Sequence, residues 1–167
     1  LLFEGMESLV SVHFKDDGAG NGPNFHDSVK NMFKDCKALT TVWVGDAKEE
    51  NTVDISKLTT NDPFSSEAFA NCNAMKKLVL MDSANVTELS ASMFAGCSSL
   101  ESVVIPGSVK TIADDTFSSV ETLKSVIAPF GSSAQVWSSA NGLFPTIWDR
   151  KPATEPVSSG YCTSGLY

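Results

Sequence analysis

Three cysteines that recur in one sequence context are the residues best suited to chemistry. Cys36, Cys72 and Cys97 each follow a phenylalanine by three residues and precede a leucine or methionine by three. A thiolate can be a nucleophile or a zinc ligand, but the apolar neighbours favour a small buried side chain, and no fourth ligand is nearby. Parallel side chains in stacked segments keep their Cβ atoms too far apart for a disulfide. We therefore expect buried free thiols.

The other candidate residues do not form a known constellation. The two histidines, His13 and His26, lie near the start of the chain, and the sequence contains no paired CxxC, HExxH, GxSxG or phosphate-binding glycine loop. Asp16, Asp17 and Asn21 lie in a glycine-rich segment, but their spacing is not that of an EF-hand calcium loop. We expect no catalytic residue, no metal site, no cofactor and hence no enzyme.

The cysteines belong to a repeated unit. In Met93–Ile105, apolar residues recur first at spacings of three, typical of a turn or short helix, and then at spacings of two, typical of a strand. One unit cannot bury its apolar face alone, so the pattern predicts stacked repeats, that is, a solenoid. Leading phenylalanines mark about five units: Phe3, Phe33, Phe69, Phe94 and Phe117.

The predicted fold is an α/β solenoid. Its parallel β-sheet has one short strand per repeat, with short helices or turns on the other side as the crossovers that parallel strands require. We place the strands at Ser11–Phe14, Thr41–Val44, Lys77–Leu80, Ser102–Ile105 and Ser125–Ala128.

The segment 105–129 resembles the BspA-like leucine-rich repeats, which follow the pattern IP-x-SV-x-x-I-x-x-x-x-F-x-x-C-x-x-L-x-x-V-x-I. The matching residues are Ile105, Pro106, Ser108, Val109, Ile112, Phe117, Leu123 and Val126, whereas Val120 departs from the pattern at the cysteine position. The resemblance covers about residues 2–130. It implies a leucine-rich repeat fold and a surface or secreted protein of a family commonly implicated in adhesion, without catalytic residues to transfer.

The charge balance excludes two classes of partner. The formal net charge is −8, which disfavours nucleic acid, because phosphate binding requires clustered lysine and arginine, and disfavours an anionic membrane surface. No apolar run reaches the ~20 residues of a membrane span, so we expect no membrane insertion of this segment. Leu1 already lies inside a repeat and no signal peptide is visible, so we expect a processed form or an excised segment of a longer protein. An extracellular or cell-surface location is what the BspA-like resemblance implies.

We expect one leucine-rich repeat domain over residues 1–148 and a linker or tail over 149–167. Residues 45–60 form an acidic insertion that we interpret as a solvated loop, although Val53, Ile55 and Leu58 indicate partial packing on the core. Residues 129–148 break the repeat and supply a C-terminal cap, as solenoids require. The proposed cap residues are Val136, Trp137, Leu143, Phe144, Ile147 and Trp148. Cys162 lies outside the repeat, and the last residues form either a disordered tail or a pinned terminus.

The strand alternation predicts a surface on the open face of the sheet. If Val103 and Ile105 point inward, Ser102 and Val104 point outward. The same register forms one outward column, with Lys77 in the polar column beside it: His13, Trp43, Val79, Val104 and Ile127. We predict a binding strip in which Trp43 is the anchor. The alternative is ordinary β-branched preference in strands, with Trp43 shielded by the insertion.

Two functions remain open at this point. The first is a binding or adhesion module whose partner is a protein or a ligand on a host or matrix surface. The second is a structural spacer or stalk in a larger surface protein. An apolar and aromatic sheet face favours the first, whereas a wholly polar face would favour the second.

Overall fold

The computed structural model describes residues 2–25, 30–60, 67–129, 132–134 and 136, and the backbone of 161–163. Its main element is a sheet of seven strands, six of which run parallel. The parallel strands are, in order across the sheet, β1 (Ser11–Phe14), β3 (Thr41–Val44), β4 (Thr52–Asp54), β6 (Lys77–Val79), β8 (Ser102–Val104) and β10 (Ser125–Pro129). This confirms the predicted leucine-rich repeat fold.

The described residues also form two small parallel sheets. Strand β2 (Asn24–Phe25) pairs with β5 (Thr59–Thr60), and β7 (Glu88–Leu89) pairs with β9 (Thr111–Ile112), both in parallel. The repeat segments that carry the phenylalanines and cysteines are turns, so turns rather than short helices form the other side of the solenoid.

The interpretation of residues 45–60 as a solvated loop holds for the exposed residues 46–51 but was wrong for the rest of the segment, where the expected packing of Val53, Ile55 and Leu58 on the core is confirmed. This segment contributes β4, which lies between β3 and β6 in the main sheet. The physical reason is the alternation of Val53 and Ile55, which are fully buried in the same core as the predicted strands, together with Leu58. The segment therefore adds a sixth parallel strand without the phenylalanine-led turn that marks the other repeats.

The core is a stack of repeated side chains. The five leading phenylalanines stack ring on ring, with centroid distances from 4.8 to 5.8 Å: Phe3, Phe33, Phe69, Phe94 and Phe117. On the strand side the predicted alternation is confirmed, since Val103 and Ile105 are fully buried and Val104 is half-exposed. At the N-terminal end the apolar residues of the first repeat are only partly covered, and Leu2, Met6 and Val10 are about half exposed.

Every phenylalanine-led turn uses the left-handed backbone region at the same position. The residue two after each phenylalanine has a φ between 61° and 78°: Gly5, Asp35, Asn71, Gly96 and Ser119. Glycine, asparagine and aspartate tolerate this region best. In the first turns this residue also donates its N–H to the following repeat, as Gly5 does to Lys34 and Asp35 does to Ala70. The turn thus both reverses the chain and links the layers.

The end of the chain contributes to the sheet. Strand β11 (Tyr161–Thr163) pairs antiparallel with β10, so this part of the terminus is pinned. Of the proposed cap, Val136 is exposed, while nearby Ala134 is fully buried. The remaining cap residues and the 148/149 boundary lie outside the described residues: Trp137, Leu143, Phe144, Ile147 and Trp148. The cap and the domain boundary stay predictions.

Candidate functional site

The three repeat cysteines are buried free thiols, as predicted. Each Sγ donates a hydrogen bond to the carbonyl of the phenylalanine in an earlier turn: Cys36 to Phe3, Cys72 to Phe33 and Cys97 to Phe69, at 3.0 to 3.1 Å. Burial raises the pKa of all three thiols, to about 11 for Cys36 and about 12 for Cys97. The thiolate is the reactive form, so this slot is structural rather than catalytic.

The structure places the predicted binding column on the open face of the main sheet. His13 lies opposite Trp43, Val79 lies opposite Val104, and Val104 lies opposite Ile127. The column is not continuous as predicted, because β4 separates Trp43 from Val79. Asp54 of β4 lies opposite Val79, and the register of Val42 with Val53 puts Asp54 opposite Trp43 as well. An acidic residue therefore interrupts the apolar column.

Trp43 is half-buried, and the described residues His13 and Lys48 both contact its indole ring. His13 stacks on it with a centroid distance of 4.5 Å and an interplanar angle of 7°. The Nε2 of His13 donates to the carbonyl of Gly45 at 3.0 Å, which fixes the imidazole in this stack. The ammonium of Lys48 lies 5.2 Å from the ring centroid, a cation–π contact. The expected shielding of Trp43 by the 45–60 segment is thus partial.

Lys77 lies in the polar column beside this strip, as predicted, and it is paired. Its Nζ donates to Glu49 Oε1 at 2.7 Å, and this contact is the main cause of the lowered pKa of Glu49. Because Lys48 reaches Trp43 and Glu49 reaches Lys77, the loop before β4 lies over this part of the face. The outward residues beneath it, Thr41 and Thr52, are buried.

The C-terminal half of the strip is open. Val79, Val104 and Ile127 are half-exposed and lie side by side on β6, β8 and β10. The neighbouring column holds Ser102 and Ser125, which are in register with each other. The described part of the sheet face therefore contains an aliphatic strip beside a polar column, with an aromatic and charged cluster at its N-terminal end.

Sequence reasoning missed Asp54 and Lys48. Asp54 was missed because β4 lacks the leading phenylalanine and the cysteine that identified the other repeats. The alternation of Val53, Asp54 and Ile55 could have indicated a strand with Asp54 on its outward face. Lys48 comes from a loop, and its contact with Trp43 depends on tertiary structure that no local pattern encodes.

Other candidate chemistry is limited in the part of the chain that the structure describes. Within it, no group of three or more His, Cys, Asp or Glu side chains is arranged to hold a metal ion. The carboxylate of Asp17 instead accepts hydrogen bonds from Ala19 and Asn21, which lower its pKa and close a local loop. No helix in the described ranges has the length and apolarity needed to cross a bilayer.

A match to a family model agrees with the repeat pattern. Residues 49–134 match a family model described as BspA type Leucine rich repeat region (6 copies). No curated protein matches the chain in sequence. Among solved structures, the chain is similar to a leucine rich cell surface protein from Faecalibacterium prausnitzii, with 22% identity and a TM-score of 0.44.

That similarity covers 74% of this chain and 33% of the other, so this chain spans about a third of that protein's length. The family model accounts for more than half of the 167 residues, and it includes β4, β6, β8 and β10 with their connecting turns. These four strands are the larger part of the parallel sheet, which β1 and β3 extend before residue 49, and the chain belongs to the BspA-type leucine-rich repeat family.

Proposed function

We propose that this domain is a non-catalytic, extracellular binding and adhesion module that presents its main sheet to a protein ligand on a host or matrix surface. The observation that carries the proposal is the strip of Val79, Val104 and Ile127, which lie in register and half-exposed on the sheet face. The family adds support, since its resemblance implies surface or secreted proteins implicated in adhesion.

The strip has the composition of a contact site. Apolar side chains beside the polar column of Ser102 and Ser125 resemble the apolar centre and polar rim of protein interfaces. Trp43 extends the same face, and its half-buried ring offers an amphipathic anchor of the kind enriched in binding hot spots. A spacer would need none of these side chains on its open face.

The test is binding of the purified domain to a panel of immobilised, purified extracellular-matrix proteins, measured by surface plasmon resonance. Trp43→Ala and Val104→Ser should each weaken binding to the captured protein by about tenfold, since each removes apolar contact area. Val136→Ser is the matched control, because Val136 is exposed outside the strip and should tolerate the same change.

Circular dichroism and urea unfolding must show that each variant keeps its fold. Unaltered binding by both face variants would place the contact elsewhere on the domain. A parent domain that binds no member of the panel would favour the spacer function instead.

A further inference from the structure

We infer that the protein partner contacts this face through a basic segment, with an arginine or lysine side chain held against Trp43 and paired with Asp54. This inference rests on the proposed function of the sheet face and names the chemistry of its partner.

The position of Asp54 is the first reason. It lies between Trp43 and Val79 in the outward column, so a partner that covers both residues also covers Asp54. Removing an ionised carboxylate from water without a counter-charge is strongly unfavourable, which would weaken the binding of an uncharged or acidic partner. A cation on the partner offsets the desolvation of the carboxylate, so Asp54 favours partners that place a positive charge there.

The carboxylate has room for such a cation. Among the described residues, both hydrogen bonds to Asp54 arrive at Oδ1, from the backbone N–H of Ser56 at 2.9 Å and from its hydroxyl at 2.6 Å. Those bonds fix the orientation of the side chain and leave Oδ2 for a ligand. A guanidinium or ammonium group that reaches Oδ2 forms a charge-assisted hydrogen bond.

The indole ring supplies the second contact. His13 covers one face of Trp43, so a partner's cation needs the other face of the ring. The chain already uses the ring in this way, because the ammonium of Lys48 lies 5.2 Å from its centroid. Lys48 is exposed and also pairs with Glu50, so it can leave the ring when a partner's cation enters. Guanidinium groups stack well on aromatic faces, which favours arginine.

The charge of the molecule agrees with this partner. The net charge is −8, which attracts a basic segment and raises its association rate. Near the strip, Glu49 and Glu50 are paired with Lys77 and Lys48. Asp54 thus differs from these neighbours, since its charge is not balanced by either lysine.

The experiment uses the whole chain and a fluorescently labelled peptide of alternating arginine and valine, followed by fluorescence anisotropy. A peptide of alternating glutamate and valine is the counter-probe. We expect the arginine peptide to bind and the glutamate peptide to bind at least about tenfold more weakly. Asp54→Asn should weaken arginine-peptide binding about tenfold, because it removes the charge-assisted bond.

Asp114→Asn is the matched control, since it makes the same charge change at an exposed residue outside the sheet face. It should alter affinity by less than about twofold at moderate salt. Equal effects of Asp54→Asn and Asp114→Asn would mean attraction by net charge alone and would overturn the inference. So would arginine and glutamate peptides that bind equally.

The two proposals can fail separately. If matrix-protein binding requires Trp43 and Val104 but Asp54→Asn leaves it unchanged, the sheet face is the binding site and the basic partner is wrong. If the arginine peptide binds through Asp54 while no matrix protein binds, the cation contact stands and the adhesion role fails.

Discussion

At the scale of single residues, each repeat thiol packs in its own repeat and donates a hydrogen bond to an earlier one. Cys97 packs in its own repeat and donates to the carbonyl of Phe69 in the preceding phenylalanine-led turn. That carbonyl also accepts the N–H of Cys72, so two donors from different repeats share one oxygen. Val120 occupies the thiol slot in the last repeat, and valine keeps the apolar packing without the bond.

The raised pKa of Cys97 predicts a loss of stability at alkaline pH. Above the ordinary value of 9.0 the unfolded thiol loses its proton, whereas the buried thiol keeps it until about 12. The free energy of unfolding therefore falls through this window by about 1.4 kcal/mol per pH unit for one thiol. Other groups also titrate there, so the measurement is urea unfolding of the parent beside Cys97→Val, from about pH 8 to about pH 10.

The parent should lose about 1 kcal/mol more than the variant over that range, because only the parent carries the thiol at residue 97. Parallel curves for the two proteins would show that Cys97 ionises equally well when folded and unfolded.

At the scale of elements, the position of β4 within the main sheet indicates that the 45–60 segment unfolds together with the core. Val53 is fully buried between Val42 of β3 and Leu78 of β6. Val53→Ala should lower the free energy of unfolding by about 2 kcal/mol, through lost apolar burial and a small cavity. Lys57→Ala, at an exposed position of the same segment, should change it by less than about 0.5 kcal/mol. Similar values for the two variants, measured by urea unfolding, would contradict a core strand.

The strands show what local pattern can and cannot predict. The bounds of β1 and β3 agree with the alternation in the sequence, because strict inward and outward placement leaves one register. The buried thiols were predicted from a different pattern, the spacing of three that places each cysteine between two apolar residues of its turn. The sequence did not reveal β4, because this strand has only three residues and lacks the phenylalanine-led turn by which the other repeats were recognised. Because β4 was missed, the interruption of the outward column by Asp54 was missed as well. The residues of the candidate site were predicted correctly, but Trp43 and Val79 were wrongly expected to be neighbours.

At the scale of the whole molecule, stacking of about five phenylalanine-led repeats predicts an elongated or curved particle in solution. A compact domain of this length has a radius of gyration of about 15 Å. Small-angle X-ray scattering should give a larger value, with a pair-distance distribution skewed toward long distances. A symmetric distribution at the compact value would contradict a stacked array.

The extra strand also makes the two sides of the coil unequal in length. Phe33 stacks directly on Phe69 at 5.8 Å, and Phe33 donates its N–H to Ala68, so those turns are adjacent. Across the sheet, β4 separates the strands of the same two repeats by one further spacing of ~4.8 Å. Because the extra spacing is on the sheet side alone, we expect it to splay the strands relative to the turns and to curve the sheet outward at β4. Trp43 and Asp54 lie at that bend, so its curvature sets the angle between the indole ring and the carboxylate that a partner would meet.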